Sequence, residues 1–182
     1  VENLNLLDKT AIIFTTDHGF YFGEHGGIFG KMVRAKPDMT PYWKVAKDMG
    51  AWTRCPKFEE VVGIPLLMYV PGATPGTYGG LTSAIDMMPT VMDLLKQPIP
   101  DWVEGHSLMP ALHDRNIKGR PYVVSAGDFE EQERRSPDMT ITTDEWSLLY
   151  YTKGDSWLYN LKSDPAQENN IIGQRPEVAR EV

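Results

Sequence analysis

The stretch from Thr16 to Lys31, TDHGFYFGEHGGIFGK, holds an aspartate, two histidines, a glutamate, a lysine and five glycines. Asp17 offers a hard oxygen and His18 a nitrogen, a pair compatible with Ca²⁺, Mg²⁺, Mn²⁺ or Zn²⁺. On an extended chain neighbouring side chains point apart, but in a turn leaving a strand they converge on one cation. At least two further ligands must come from elsewhere. Glu24 and His25 suit either of two roles, supporting the ligands by hydrogen bonds or moving protons. Lys31 suits an oxyanion, as a compact point charge. Gly19 permits a sharp turn and a close backbone approach. The plainer alternatives are an ordinary turn for Asp-His-Gly and a surface position for Lys31.

These groups need a scaffold. Thr10 to Thr16 (TAIIFTT) is short, β-branched and apolar on both sides, the pattern of a buried strand in a parallel sheet. Open α/β sheets bind ligands beyond the carboxyl ends of their strands, where Asp17 and His18 fall. Ile64 to Val70 (IPLLMYV) predicts a second strand, ended by Pro71-Gly72. Leu81 to Lys96 predicts a helix, with Asp86 as cap and Pro89 in the first turn. Its stripe of Met88, Val91, Met92 and Leu95 is expected to face the core. Lys36 to Pro56 reads as a long surface excursion with one helical turn around Tyr42 to Met49.

Beyond an irregular crossing from Pro98 to Pro110 the texture changes. Tyr122 to Ala126, Met139 to Thr143, Ser147 to Thr152 and Trp157 to Leu161 read as short antiparallel strands, with a hairpin turn at Thr152 to Asp155. Asn170 to Val182 predicts a terminal helix. The expected class is α/β: a mainly parallel sheet with flanking helices over 1–114, then a small antiparallel α+β subdomain over 115–182.

Composition narrows the partners. The formal net charge is −7 over 182 residues, so bulk attraction to nucleic acid is not expected. No apolar run is long enough to span a membrane, and VENLNLLDKT carries no leader pattern. The lone cysteine, Cys55, forms no internal disulfide and reads as packed rather than reactive. Charge is uneven: Lys31 to Lys57 carries about +5 against about −12 for the rest. That window is either an anion-attracting rim or a solvated face. A P-loop is excluded, because His25 stands where its first glycine belongs and Met32 where Ser or Thr is needed. H-E-x-x-H and G-x-G-x-x-G are absent.

The string T-D-H-G-F-Y-F-G-E-H-G-G-I-F-G-K resembles the sulfatase family of the alkaline phosphatase superfamily, whose strand ending in S/T-D-H/N-G is followed by G-E-H-G and a lysine. Three further stretches agree in order: EVVGIPLLMYVPG (60–72), AIDMMPTVMDLLKQPIPDWVEGHSLMPAL (84–112) and WLYNLKSDPAQENNI (157–171). They resemble the family's strand ending in P-G, its D-x-x-P-T helix with G-x-S-L-x-P-x-L, and its L-Y-D-L-x-x-D-P-x-E-x-x-N tail.

The resemblance implies a mechanism. Formylglycine, made from a cysteine or serine in C/S-x-P-x-R, attacks a sulfate ester, and a divalent cation, commonly calcium, polarises the sulfate oxygens. It assigns Asp17 and His18 to the metal, Lys31 to the sulfate and to catalysis, and, through the less uniform G-E-H-G, His25 to catalysis and Glu24 to a supporting place beside the ligands. It also implies a sulfate-ester substrate, with a sulfated carbohydrate suited to the basic window, and leaves the compartment open among periplasmic, extracellular and lysosomal settings. This chain has no C/S-x-P-x-R and no early aspartate pair. The nucleophile and half the metal shell are therefore expected in a further amino-terminal segment or a second chain. Two other readings share these residues: a phosphonate or phosphodiester hydrolase of the same superfamily, and a non-catalytic module that binds sulfated glycans.

Overall fold

A computed structural model describes residues 2–34, 52–126, 139–151 and 155–182. Its strands are β1 (Ile12–Thr15), β2 (Tyr21–Phe22), β3 (Phe29–Gly30), β4 (Met32–Arg34), β5 (Trp52–Arg54), β6 (Leu66–Tyr69), β7 (Val123–Ala126), β8 (Met139–Thr142), β9 (Trp146–Tyr150) and β10 (Trp157–Asn160). Its helical turns and helices are α1 (Glu24–Gly27), α2 (Glu59–Val62), α3 (Met87–Leu94), α4 (Met109–His113) and α5 (Val178–Glu181). The chain forms two compact units, one of residues 1–17 and 65–123, the other of 18–64 and 124–182.

In the first unit β1 pairs with β6, with Ile12 opposite Tyr69 and Phe14 opposite Leu67. The pair is antiparallel, and so is every other pairing whose register is described. The expected parallel pairing is not among them. Nor is β1 buried: Phe14 and its partner Leu67 are each 60% exposed. The two-sided apolar pattern is present, but these described residues cover only part of it.

The predicted helix at 81–96 starts later than expected. Ser83 caps a short 3-10 turn over Ala84–Asp86, and α3 follows directly. Asp86 acts as the third residue of a capping box, its Oδ2 accepting the Ser83 N–H at 2.8 Å. The helix ends as Lys96 turns left-handed (φ 55°), while Gln97 N–H and Lys96 N–H donate to the carbonyls of Met92 and Asp93. That is the paired bonding of a Schellman cap. The stripe expected to face the core is instead largely exposed at Met88, Val91 and Leu95.

This unit explains why D-x-x-P-T and G-x-S-L travel together. Thr90 Oγ1 donates to the Asp86 carbonyl at 2.6 Å and accepts the Leu108 N–H at 2.9 Å. Ser107 Oγ donates to Asp93 Oδ2 at 2.5 Å. A Cβ at Gly105 would stand 2.0 Å from the Ile85 carbonyl oxygen, so only glycine lets the 105–108 segment lie against the start of α3.

In the second unit the strand order β10-β9-β8-β7 forms a four-stranded sheet. The antiparallel texture expected after the crossing is present there, while the hairpin turn at 152–155 lies mostly outside the described residues. One core gathers Tyr21, Ile28, Cys55, Phe58, Leu149, Tyr151 and Tyr159, and a second gathers Leu148, Leu158 and Val178. Buried Gln167 ties them: its Oε1 accepts the Glu59 N–H at 2.7 Å and its Nε2 donates to Ser147 Oγ at 2.9 Å. The terminal helix is shorter than expected, only Val178–Glu181. Asn170 Oδ1 takes the N–H groups of Leu158 and Ile172, and Gly173 and Pro176 follow, so the backbone is committed to turns.

Candidate functional site

Asp17 ends the first unit's amino-terminal segment and His18 opens the second unit. Asp17 is exposed, and its Oδ1 accepts the Thr16 hydroxyl at 3.3 Å. His18 Nδ1 lies 2.7 Å from the Gly19 carbonyl oxygen, and His18 Nε2 lies 2.7 Å from Lys31 Nζ. An ammonium only donates, so Nε2 accepts and the ring proton rests on Nδ1, donating to Gly19. The ring is thereby fixed in the tautomer that presents a lone pair on Nε2, the form a metal ligand also needs. Sequence spacing placed His18 and Lys31 thirteen residues apart; the β2–β3 hairpin, with Tyr21 opposite Gly30 and Phe22 opposite Phe29, folds them together.

The turn between these strands explains its glycines and its glutamate. His25 and Gly26 take left-handed conformations (φ 51° and 84°), which a non-glycine residue adopts at a cost of about 1–2 kcal/mol. Glu24 is exposed, and its Oε2 accepts the Phe22 N–H at 2.6 Å. The backbone N–H groups of Glu24 and Phe22 hold its carboxyl below the usual range.

His25 pays for its strained backbone through its ring. It stacks on Phe58 at 3.7 Å between centroids, and Phe58 stacks in turn on Trp157 at 5.8 Å. Its Nε2 meets Glu60 Oε2 at 3.0 Å, and only 9% of its side chain is exposed. His25 thus holds α2. That helical turn in turn holds the Asp-His-Gly bend, because the Gly19 N–H donates to the Val61 carbonyl at 2.9 Å. Phe58 and Glu60 are the site-supporting residues that sequence reading missed. They lie more than thirty residues from their partners, and no local pattern marks such a contact.

Gly19 makes the closest approach. A Cβ there would stand 1.8 Å from the Glu60 carbonyl oxygen and 3.2 Å from Val61 Cα. Both are backbone, so neither yields cheaply. Gly19→Ala is expected to destabilise the second unit by about 1–3 kcal/mol through overpacking. Denaturant unfolding of the variant checks this; an unchanged midpoint would show that α2 moves freely.

Cys55 is buried among the core rings, its Sγ 3.8 Å from the Gly30 carbonyl, and burial pushes its thiol up to about 12. It is a packed group, as its setting in the sequence suggested. The basic window is only partly described. Lys31 is exposed, but Lys57 is 7% exposed and so leaves any solvated rim. The helical turn at 42–49 lies outside the described residues, and the described end of the 36–56 excursion is not surface loop, because Trp52–Arg54 pairs with β4 and Cys55 and Pro56 are buried.

Among the described residues, no group of three or more His, Cys, Asp or Glu can hold a metal ion. Asp17 and His18 are of residue types that suit a divalent cation, and the Gly19 carbonyl holds the His18 ring through Nδ1. The remaining ligands would have to come from other residues. No described helix is long and apolar enough to cross a membrane.

Comparison with known proteins follows the same lines. The family profile described as "N-sulphoglucosamine sulphohydrolase, C-terminal" matches residues 49–181. Arylsulfatase K of Xenopus laevis is 26% identical over 192 residues, covering 100% of this chain and 31% of that protein. N-acetylglucosamine-6-O-sulfatase of Bacteroides thetaiotaomicron is 26% identical over 182 residues, covering 96% of this chain and 28% of that protein. The chain therefore spans under a third of the length of these curated relatives. Among solved structures, the phosphonate monoester hydrolase of Agrobacterium radiobacter superposes with a TM-score of 0.70 at 22% identity, over 99% of this chain and 34% of that one. The fold is shared with that hydrolase, and the chain belongs to the N-sulphoglucosamine sulphohydrolase carboxy-terminal family of sulfatases.

Proposed function

We propose that this chain is the carboxy-terminal part of a sulfatase that hydrolyses sulfate esters. Residues 1–114 would complete its catalytic α/β domain, and 115–182 would form the terminal antiparallel subdomain. The observation that carries the reading is the 2.7 Å contact between Lys31 Nζ and His18 Nε2 at the end of an Asp-His-Gly turn. It sets a fixed cation beside a nitrogen ligand, an arrangement suited to the oxygens of a tetrahedral anion.

In this reading Lys31 takes a sulfate oxygen, and Asp17 and His18 give an oxygen and a nitrogen to a divalent cation. Calcium is the first candidate, with magnesium, manganese and zinc chemically compatible. The cation, when bound, polarises the sulfate oxygens. His25 and Glu24 act on the chain itself, one holding α2 and the other the hairpin turn. The nucleophile, expected as formylglycine, belongs to a segment outside these 182 residues. The family description and the glucosamine sulfatase relative favour a sulfated amino sugar as substrate.

The complete protein, assayed on sulfated glucosamines and aryl sulfates, is expected to lose turnover with a chelator and regain it with added calcium. The 182-residue chain alone is expected to be inactive. Faster turnover of phosphonate or phosphate diesters than of any sulfate ester would favour the phosphonate hydrolase reading instead. Unchanged hydrolysis in Asp17→Ala would remove Asp17 from the site and favour a sulfated-glycan-binding module.

A further inference from the structure

The hairpin that joins His18 to Lys31 also carries three exposed aromatic rings. Tyr21 faces the core and is fully buried, so its neighbours Phe20 and Phe22 face outward, 41% and 73% exposed. Phe29 is the cross-strand partner of Phe22 and is 64% exposed. The three rings touch: centroids lie 5.2 Å apart for Phe20–Phe22, 5.5 Å for Phe20–Phe29 and 6.0 Å for Phe22–Phe29. The last two pairs are edge-to-face, so the cluster is an ordered platform and not three independent side chains.

Its position is set by the chain on both sides. Phe20 follows His18 by two residues, and Phe29 precedes Lys31 by two. A Cβ on Gly30 would stand 3.6 Å from Phe20 Cζ, so the Phe20 ring lies over the residue that delivers Lys31. Outward apolar rings are disfavoured in water unless something covers them. Here the patch flanks, on the same hairpin and two residues away on either strand, the paired His18 and Lys31. A ligand that fits both must carry an anionic head and an apolar face. A sulfated pyranose has this form: its sulfate would reach Lys31, and its C–H face would lie on the electron-rich face of an aromatic ring.

We propose that Phe20, Phe22 and Phe29 form the wall on which the sugar ring of the sulfate ester rests beside the His18–Lys31 pair, an assignment that rests on the sulfatase reading above. The wall selects for the organic part of the substrate, while Lys31 holds the anion. The two roles are separable because they sit on different residues of one hairpin.

The complete protein allows the test. Phe20→Ala and Phe29→Ala are each expected to raise KM for a sulfated glucosamine by about tenfold, the scale of one lost apolar contact in a pocket. The inhibition constant of inorganic sulfate, which reads the anion position alone, is expected to stay within about twofold of wild type, since Lys31 is unchanged. Phe20→Tyr keeps the ring and is expected to restore KM. Four results overturn the proposal: KM unchanged; KM and the sulfate constant rising together; no rescue by tyrosine; or a lowered unfolding temperature with KM unchanged, which would mean that another part of the protein covers the rings. If the wild-type protein turns over no sulfate ester, the sulfatase reading itself fails and takes the wall with it. Turnover by wild type with indifferent variants removes the wall alone.

Discussion

Lys31→Ala in the complete protein is expected to lower kcat on a sulfate ester by about 100- to 1000-fold, the scale of losing one preorganised group on a developing oxyanion. The magnitude corresponds to roughly 3–4 kcal/mol of barrier. Lys31 is exposed in this structure, so its charge costs little to keep, and its resting interaction with an anion in open water would be weak. Its strength in the reaction comes from placement. The hairpin and the His18 contact at 2.7 Å fix an otherwise flexible side chain before substrate arrives. Binding of substrate then excludes water and strengthens the interaction at the moment charge develops. Because that gain belongs to the transition state, kcat and kcat/KM should fall together. Lys31→Arg is expected to recover only part of the loss, since a planar fork does not reproduce a point charge beside an imidazole. A variant with raised KM and unchanged kcat would show that Lys31 only captures the ground-state anion.

The alanine substitution has a second consequence. It removes the ammonium from His18 Nε2 and keeps the Nδ1–H bond to the Gly19 carbonyl. If His18 serves as a metal ligand, Nε2 then meets a cation without the competing ammonium. Calcium affinity, measured by calorimetry, is therefore expected to rise or stay constant in Lys31→Ala while turnover falls. Loss of both together would indicate that Lys31 supports the fold of the hairpin.

What the sequence could tell is bounded by range. The Asp-His-Gly turn and the lysine are legible because residue type and spacing are local. The contact between them follows from a hairpin whose glycines announce a bend. His25 was legible as a residue with chemistry but not as a packed ring. Its partners Phe58 and Glu60, and Trp157 stacked behind Phe58, arrive from distant segments. The antiparallel patch in 139–160 was legible from alternating short strands between turns.

Burial was the least legible property. Ile12, Phe14, Leu67 and the α3 stripe carry the pattern of interior residues yet stand exposed. A pattern records what a face is built to meet, not whether that partner lies within the same 182 residues, and the curated relatives are more than three times as long. The terminal segment shows the opposite limit. Its composition permits a helix, but one side chain, Asn170, takes two backbone N–H groups and ends the possibility locally.

Asp86 carries the largest expected effect on stability. It is 1% exposed, and four donors meet its two oxygens. Ser83 N–H donates to Oδ2 at 2.8 Å and His106 N–H to Oδ1 at 2.8 Å. The guanidinium of Arg120 closes on both oxygens, Nε on Oδ2 at 3.2 Å and Nη2 on Oδ1. Burial alone would raise this carboxyl, but the Arg120 hydrogen bonds and the two backbone N–H groups outweigh it and hold it below its ordinary value. Asp86→Asn keeps the shape and removes the charge. Its amide NH₂ must then face donors, so at least one buried N–H loses its acceptor, and Arg120 keeps an uncompensated charge. The expected cost is about 3–5 kcal/mol, the usual result of removing one partner from a buried pair. Arg120→Met is expected to cost a similar amount, and the double variant less than the sum of the two, because the partners share one interaction. The sign of the pH dependence follows from the lowered carboxyl. Its contribution is complete above the unfolded aspartate value of about 3.9 and is lost as pH falls through the lower folded value. Urea unfolding at neutral pH should therefore separate wild type from Asp86→Asn widely, and the gap should narrow as pH falls below about 3.9. A gap that is constant with pH would assign the loss to packing around the α3 start and not to the buried charge.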